Sequence, residues 1–146
     1  MTAADGWSGT INGAPTVGSV ARRSKLLSTR DIALYTEITG DKNPLHYDEE
    51  AAQRSQFGGL IVQGGVTSGM LNALVAESLP GPGTVFLSLN LTFTKAAYVG
   101  DTITAIVQVA KVRTDKPICT LAVEVQNSKG EVCLKGEAAT YTASLR

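Results

Sequence analysis

The sequence predicts an α+β fold: a single domain in which an antiparallel sheet wraps around a long central helix. Three observations predict it. The segment Val66–Leu79 carries Val66, Met70, Leu71, Ala73, Leu74, Val75, Ala76 and Leu79, so it is apolar on nearly every side. A helix of that kind is buried rather than laid on a surface. Pro80-Gly81-Pro82-Gly83 stops it. The four stretches that follow alternate apolar and polar residues with period two, the pattern of strands that turn one face to a core.

In chain order, Met1 to Thr16 is rich in Gly, Ala, Ser and Thr, with Trp7 standing alone. It is expected to be a flexible tail, loosely ordered or lying on a neighbouring subunit, with the folded domain over 17–146. Val20–Leu27 reads as a first strand whose Arg22, Arg23 and Lys25 form a solvated edge that resists edge-to-edge pairing. Ser28 is a helix N-cap with Asp31 as its reciprocal partner. Thr29–Thr39 follows as a helix with Ile32, Tyr35 and Thr39 on one face, ended by Gly40. Asp48 caps a short helix over Glu49–Gln53, and Phe57-Gly58-Gly59 is loop.

Gly69 inside the apolar helix costs about 1 kcal/mol against Ala, which points to close approach of a backbone or ligand. Beyond it, Val85, Leu87, Leu89, Leu91 and Phe93 alternate with Phe86, Ser88, Asn90 and Thr92. Thr102–Val112, Ile118–Asn127 and Glu131–Tyr141 repeat the pattern, with turns at Thr114-Asp115-Lys116-Pro117 and Asn127-Ser128-Lys129-Gly130. A helix enclosed by such a sheet is the hot-dog arrangement. Phe86 and Ile106 remain on the second face of the sheet, so pairing into a homodimer is expected.

Composition narrows the function. The chain has 146 residues, 43% of them hydrophobic and 18% charged, with 13 basic and 13 acidic side chains and no formal net charge. That length buries a proper core. The balance gives no global pull toward nucleic acid or an anionic membrane. No run is long enough to span a bilayer and no signal pattern opens the chain. Cys119 and Cys133 lack metal-ligand spacing and read as buried free thiols in a reducing, cytoplasmic setting. One histidine and no suitable carboxylate cluster suggest no metal.

The chemistry concentrates in Asp41-x-Asn43-Pro44-x-His46, which holds that histidine. Pro44 pushes Asn43 toward extended backbone, and Gly40 closes the preceding helix. Asp41 and His46 therefore flank a tight turn that can bring carboxylate and imidazole to one cavity as an acid/base pair. Asn-Pro is equally a common turn signal, and a histidine there can cap a helix or bond within a core. Gln63-Gly64-Gly65 precedes the buried helix. Its glycines let a ligand approach, and the N–H groups of the first turn can serve as an oxyanion hole; the same glycines can simply make the bend.

With these motifs in view, the chain resembles the MaoC-like (R)-specific enoyl-CoA hydratases. The resemblance rests on Asp41-x-Asn43-Pro44-x-His46, on Ile61-Val62-x-Gly64 before a buried helix, on Tyr98-Val99-Gly100-Asp101-Thr102-Ile103, and on Arg113-Thr114-Asp115-Lys116-Pro117. It runs from about Ser28 to Tyr141. It implies a hot-dog fold, a homodimer, an acyl-CoA substrate and no cofactor. It implies Asp41 and His46 as the catalytic pair, Gly64 N–H on the thioester carbonyl, and substrate contacts from Asn43, Gln63 and Gly65. His46 would be the base toward water and Asp41 the proton donor. Many members have Arg-x-Ile-Val-His-Gly where this chain has Gly59-Leu60-Ile61-Val62-Gln63-Gly64, so Gln63 stands in place of a histidine.

Three alternatives stay open. A hot-dog thioesterase would draw on a carboxylate of the central helix, which offers Glu77. An acyl-carrier-protein dehydratase would use Arg22, Arg23 and Lys25 toward its carrier. A non-enzymatic thioester-binding module would not need the Asp41/Asn43/His46 set. Lys95, Lys111, Arg113 and Lys116 are candidates for coenzyme A phosphates.

Overall fold

The computed structural model describes residues 5–146. Its elements are β1 (Val20–Leu26), α1 (Thr29–Thr39), α2 (Pro44–Tyr47), α3 (Glu49–Arg54), α4 (Gly64–Glu77), β2 (Thr84–Phe93), β3 (Thr102–Val112), β4 (Ile118–Gln126) and β5 (Val132–Thr142). The strands form one sheet in the order β1-β3-β4-β5-β2, antiparallel at every pairing.

Alternation decides which face is buried. In β3, Ile103, Ala105, Val107 and Val109 all point inward, and Leu121, Val123 and Val125 of β4 continue the layer. Leu134 and Ala138 of β5 complete it. Leu71, Leu74 and Val75 of α4 lie fully inside that curve, so the helix and the concave face of the sheet share one core. This is the hot-dog architecture. Burying each of these aliphatic side chains stabilises the fold by about 1.5–3 kcal/mol. Among the described residues, no helix is long and apolar enough to cross a membrane.

Several expectations change in detail. The central helix starts at Gly64, earlier than the expected Val66, because Gly64 and Gly65 take helical backbone behind the cap residue Gln63. It ends at Glu77 rather than Leu79, since Pro80 disfavours helical backbone at the residue before it. Gly69 meets nothing within 4 Å where a side chain would start, so no backbone approaches it closely. In β2 the pairing register shifts between Phe86 and Ser88. One extra residue reverses which side chains face inward. Phe86 therefore packs on the core instead of the outer face, while Val85 and Leu87 are each 56% exposed.

The tail departs most. Met1–Ala4 lie outside the described residues, but Trp7 and Thr10 of the expected loose segment are buried. Trp7 is 2% exposed and joins the core, and its Nε1 donates to the Arg113 carbonyl at 2.7 Å. Gly6 N–H donates to the Thr114 carbonyl, and Asn12 Nδ2 to the Pro80 carbonyl. The indole fills the end of the core beside the β3–β4 turn. Trp7→Ala should lower unfolding free energy by about 3–5 kcal/mol, read from a denaturant midpoint. A loss under about 0.5 kcal/mol, as for an ordinary surface change, would mean that the segment is a tail after all.

Candidate active site

The site is built from the segment between α1 and α2. Ser28 N–H donates to Asp31 Oδ2 at 2.8 Å, which starts α1. Burial pushes the Asp31 carboxyl up, but bonds from Lys25 and Ser28 outweigh it and hold it below the usual range. Gly40 ends α1 in left-handed backbone (φ 79°), with its N–H on the Thr36 carbonyl. The chain then turns through a ladder of side-chain bonds. Asp41 Oδ1 accepts from Asn43 N–H at 3.0 Å, and Asn43 Oδ1 accepts from Leu45 N–H at 3.1 Å. Asn43 is thereby the N-cap of α2, with Pro44 in its first turn where no amide hydrogen is needed. The expected turn thus contains one further helical turn.

That turn carries His46 inward. The imidazole is 7% exposed, and Nδ1 lies 2.7 Å from the Ile61 carbonyl. A carbonyl only accepts, so Nδ1 carries a ring hydrogen, and in the neutral ring Nε2 is left as an acceptor. Ile61 is fixed in turn: its N–H donates to the Leu45 carbonyl, and Val62 N–H donates to the Ala97 carbonyl. His46 Nε2 faces Asp41 Oδ2 at 3.8 Å. That is too long for a direct hydrogen bond. It suits one water donating a hydrogen to each acceptor at about 2.8 Å.

A cavity of about 340 Å³ opens on this group, lined by Asn43, His46, Ile61, Gly64, Thr67 and Phe93 among others. Gly64, the first residue of α4, lines this cavity, and its N–H has no partner among the described residues. Phe93 closes over it, 3.1 Å from where a Gly64 side chain would start. A second cavity of about 600 Å³ adjoins, sharing Phe57, Thr94, Lys95 and Ala96 with the first. Lys95 stands at this junction, bound to Glu131 at 2.6 Å, and that bond raises the lysine and lowers the carboxylate in pKa.

The expected residues thus divide. Asn43, His46 and Gly64 line the cavity, and Asp41 stands behind the lining, 3.8 Å from His46 Nε2. Gln63 and Gly65 do not line the cavity. Gln63 is 1% exposed and points toward α1. The space beside Gly65 is filled by the Tyr35 ring, whose oxygen lies 1.8 Å from where a Cβ would stand. Of the four candidate cations only Lys95 lines either cavity; Arg113 pairs instead with Asp115 at 2.6 Å, and Lys111 lines another hollow with Arg113. Phe93 and Thr67 were not foreseen. Alternation set the first on one face with Leu91 but gave no sign that it meets Gly64, and an apolar helix carries no mark of which polar side chain turns to a ligand.

With the ring neutral, ¹⁵N spectra should place the His46 hydrogen on Nδ1. Nε2–H as the dominant form would contradict the Ile61 bond.

Comparison with known proteins places the chain in a family. The family model for the MaoC like domain matches residues 13–131. An (R)-specific enoyl-CoA hydratase of Aeromonas caviae is 36% identical over 122 residues, which cover 84% of this chain and 91% of that protein. A mitochondrial 3-hydroxyacyl-[acyl-carrier-protein] dehydratase of Arabidopsis thaliana is 36% identical over 100 residues, 68% of this chain and 59% of that one. A solved (R)-hydratase of A. caviae involved in PHA biosynthesis superposes with TM-score 0.85 at 34% identity, over 88% of this chain and 98% of that one. By its sequence and its fold, the chain belongs to the MaoC-like domain family.

Proposed function

We propose that this enzyme adds water across the double bond of a trans-2-enoyl-CoA to give the (R)-3-hydroxyacyl-CoA, and catalyses the reverse dehydration. The observation that carries the reading is a buried imidazole with an accepting Nε2, 3.8 Å from a carboxylate, on the same cavity as the N-terminus of α4. The R configuration and the thioester are taken from the named relatives.

The thioester carbonyl would rest on Gly64 N–H, where the helix end supplies a hydrogen bond and positive partial charge. That draws electron density from the conjugated double bond toward the carbonyl oxygen. Water between His46 and Asp41 attacks C3 while Nε2 takes its hydrogen; the base role falls to His46 because Nδ1 is committed to Ile61. The proton that Nε2 took then passes to the Asp41 carboxylate, the assigned donor, which delivers it to C2. The pair ends the cycle with the proton count it began with, and no cofactor is called upon. Lys95 at the cavity junction is placed to meet the carrier arm.

The carrier-protein dehydratase reading uses the same groups in reverse and draws on the plant relative. A thioesterase reading is less supported. Glu77 is the last residue of α4, about 20 Å along the helix from Gly64.

Asp41→Asn and His46→Gln should each lower turnover of crotonyl-CoA by about 10²–10⁴-fold in a folded protein. The double variant should lose much less than the product of the two. Near wild-type hydration by both single variants would refute the pair.

The same reading includes a homodimer. β2 pairs only with β5, and it exposes Val85 and Leu87 beside the 40% exposed Tyr141. An open strand edge with exposed apolar side chains favours association. Sedimentation should give a dimer, and Leu87→Glu should shift it toward monomer. A fully active wild-type monomer would contradict this.

A further inference from the structure

Behind the cavity lies a group of polar atoms that the chemistry above does not use. Gln63 Nε2 donates to the Ile32 carbonyl at 3.1 Å and to Thr36 Oγ1 at 3.3 Å. These acceptors fix the amide, because the reversed orientation would set Oε1 against the Ile32 carbonyl. Oε1 is buried without a partner among the described residues. An apolar side chain would leave no such orphan, but Thr36 would lose its donor.

Thr36 Oγ1 lies within reach of four groups: the Ile32 carbonyl at 3.0 Å, the Asp41 carbonyl at 2.7 Å, the Tyr47 hydroxyl and Gln63 Nε2. A hydroxyl has one hydrogen and two lone pairs. Gln63 and Tyr47 donate to the lone pairs, and the hydrogen goes to the nearer carbonyl, that of Asp41. Every bonding capacity of the hydroxyl is then filled, and the Asp41 main chain is tied to Gln63. Gln63 is the N-cap of α4, directly before Gly64.

We propose that Thr36 is a positioning residue of the site, its hydroxyl joining the Asp41 main chain to the Gln63 cap so that the acid/base pair and the Gly64 N–H are held in one frame. The two halves of the chemistry stand on different elements, the α1–α2 turn and α4. Thr36 and Gln63 span the gap between them across α1. The proposal rests on the hydration reading for its kinetic consequence and on hydrogen bonding alone for its structural one.

The test compares Thr36→Val, Thr36→Ala and Thr36→Ser with wild type and Asp41→Asn. Two readouts are taken: crotonyl-CoA kinetics, and the imidazole ¹⁵N signals of His46, the only histidine. Loss of the hydroxyl should lower kcat about 10–10²-fold, the scale of a small misplacement, with KM within about twofold. Thr36→Ser should restore most of it. At fixed pH the His46 signals of Thr36→Val and Thr36→Ala should move toward those of Asp41→Asn, and those of Thr36→Ser should stay with wild type. Ala is well tolerated in a helix, so it stands in if Val does not fold. Unchanged kcat and signals in both, or equal losses in Thr36→Ser, would overturn the proposal. If wild type does not hydrate crotonyl-CoA, the hydration reading fails, and the His46 signals still decide whether Thr36 holds Asp41.

Discussion

The hydrogen bond from His46 Nδ1 to the Ile61 carbonyl sets the chemistry of the site. It brings the imidazole under cover, commits one ring nitrogen, and leaves the other as an acceptor turned toward Asp41. It is dependable because the carbonyl belongs to a segment held on both sides, by Leu45 through the Ile61 N–H and by Ala97 through the Val62 N–H. Without it the ring could take either tautomer, and with Nε2 protonated it would no longer accept a hydrogen from water.

The same segment leads directly into α4, so one stretch places both halves of the site. Hydrophobic burial decides where that helix lies. Leu71, Leu74 and Val75 are buried against the sheet, with β3, β2, β1 and β4 packed on the helix, which leaves its N-terminal turn at one end of the core. Val66 N–H bonds back to the Gln63 carbonyl, while Gly64 N–H has no partner among the described residues. Packing fixes the helix, and in the proposed reaction its free Gly64 N–H would be the polarising donor.

Much of this was legible in the sequence because two periodicities are clean. The apolar character of Val66–Leu79 on nearly every side marks a core helix, and the alternation in β3 and β4 marks its wrapping. Asp41-x-Asn43-Pro44-x-His46 marks the site because each residue type has a local task, from side-chain cap to proline in the first turn. What was hidden depends on contacts between distant residues. The β2 bulge reverses parity without changing the sequence pattern. Trp7 finds the Arg113 carbonyl only after β3 and β4 have formed. The family resemblance implied a substrate contact for Gln63, yet its two donated bonds go to α1. Rotamer and partner are tertiary facts, and a lone glutamine gives no advance sign of them.

The central claim is that water held by Asp41 and His46 is added to C3 of an enoyl thioester. Incubation of crotonyl-CoA with the enzyme in H₂¹⁸O, followed by mass and chiral analysis of the product, tests it most directly. The account predicts (R)-3-hydroxybutyryl-CoA with ¹⁸O in the C3 hydroxyl and the thioester intact. Free coenzyme A thiol with ¹⁸O in a released carboxylate, or no label at C3, would contradict it.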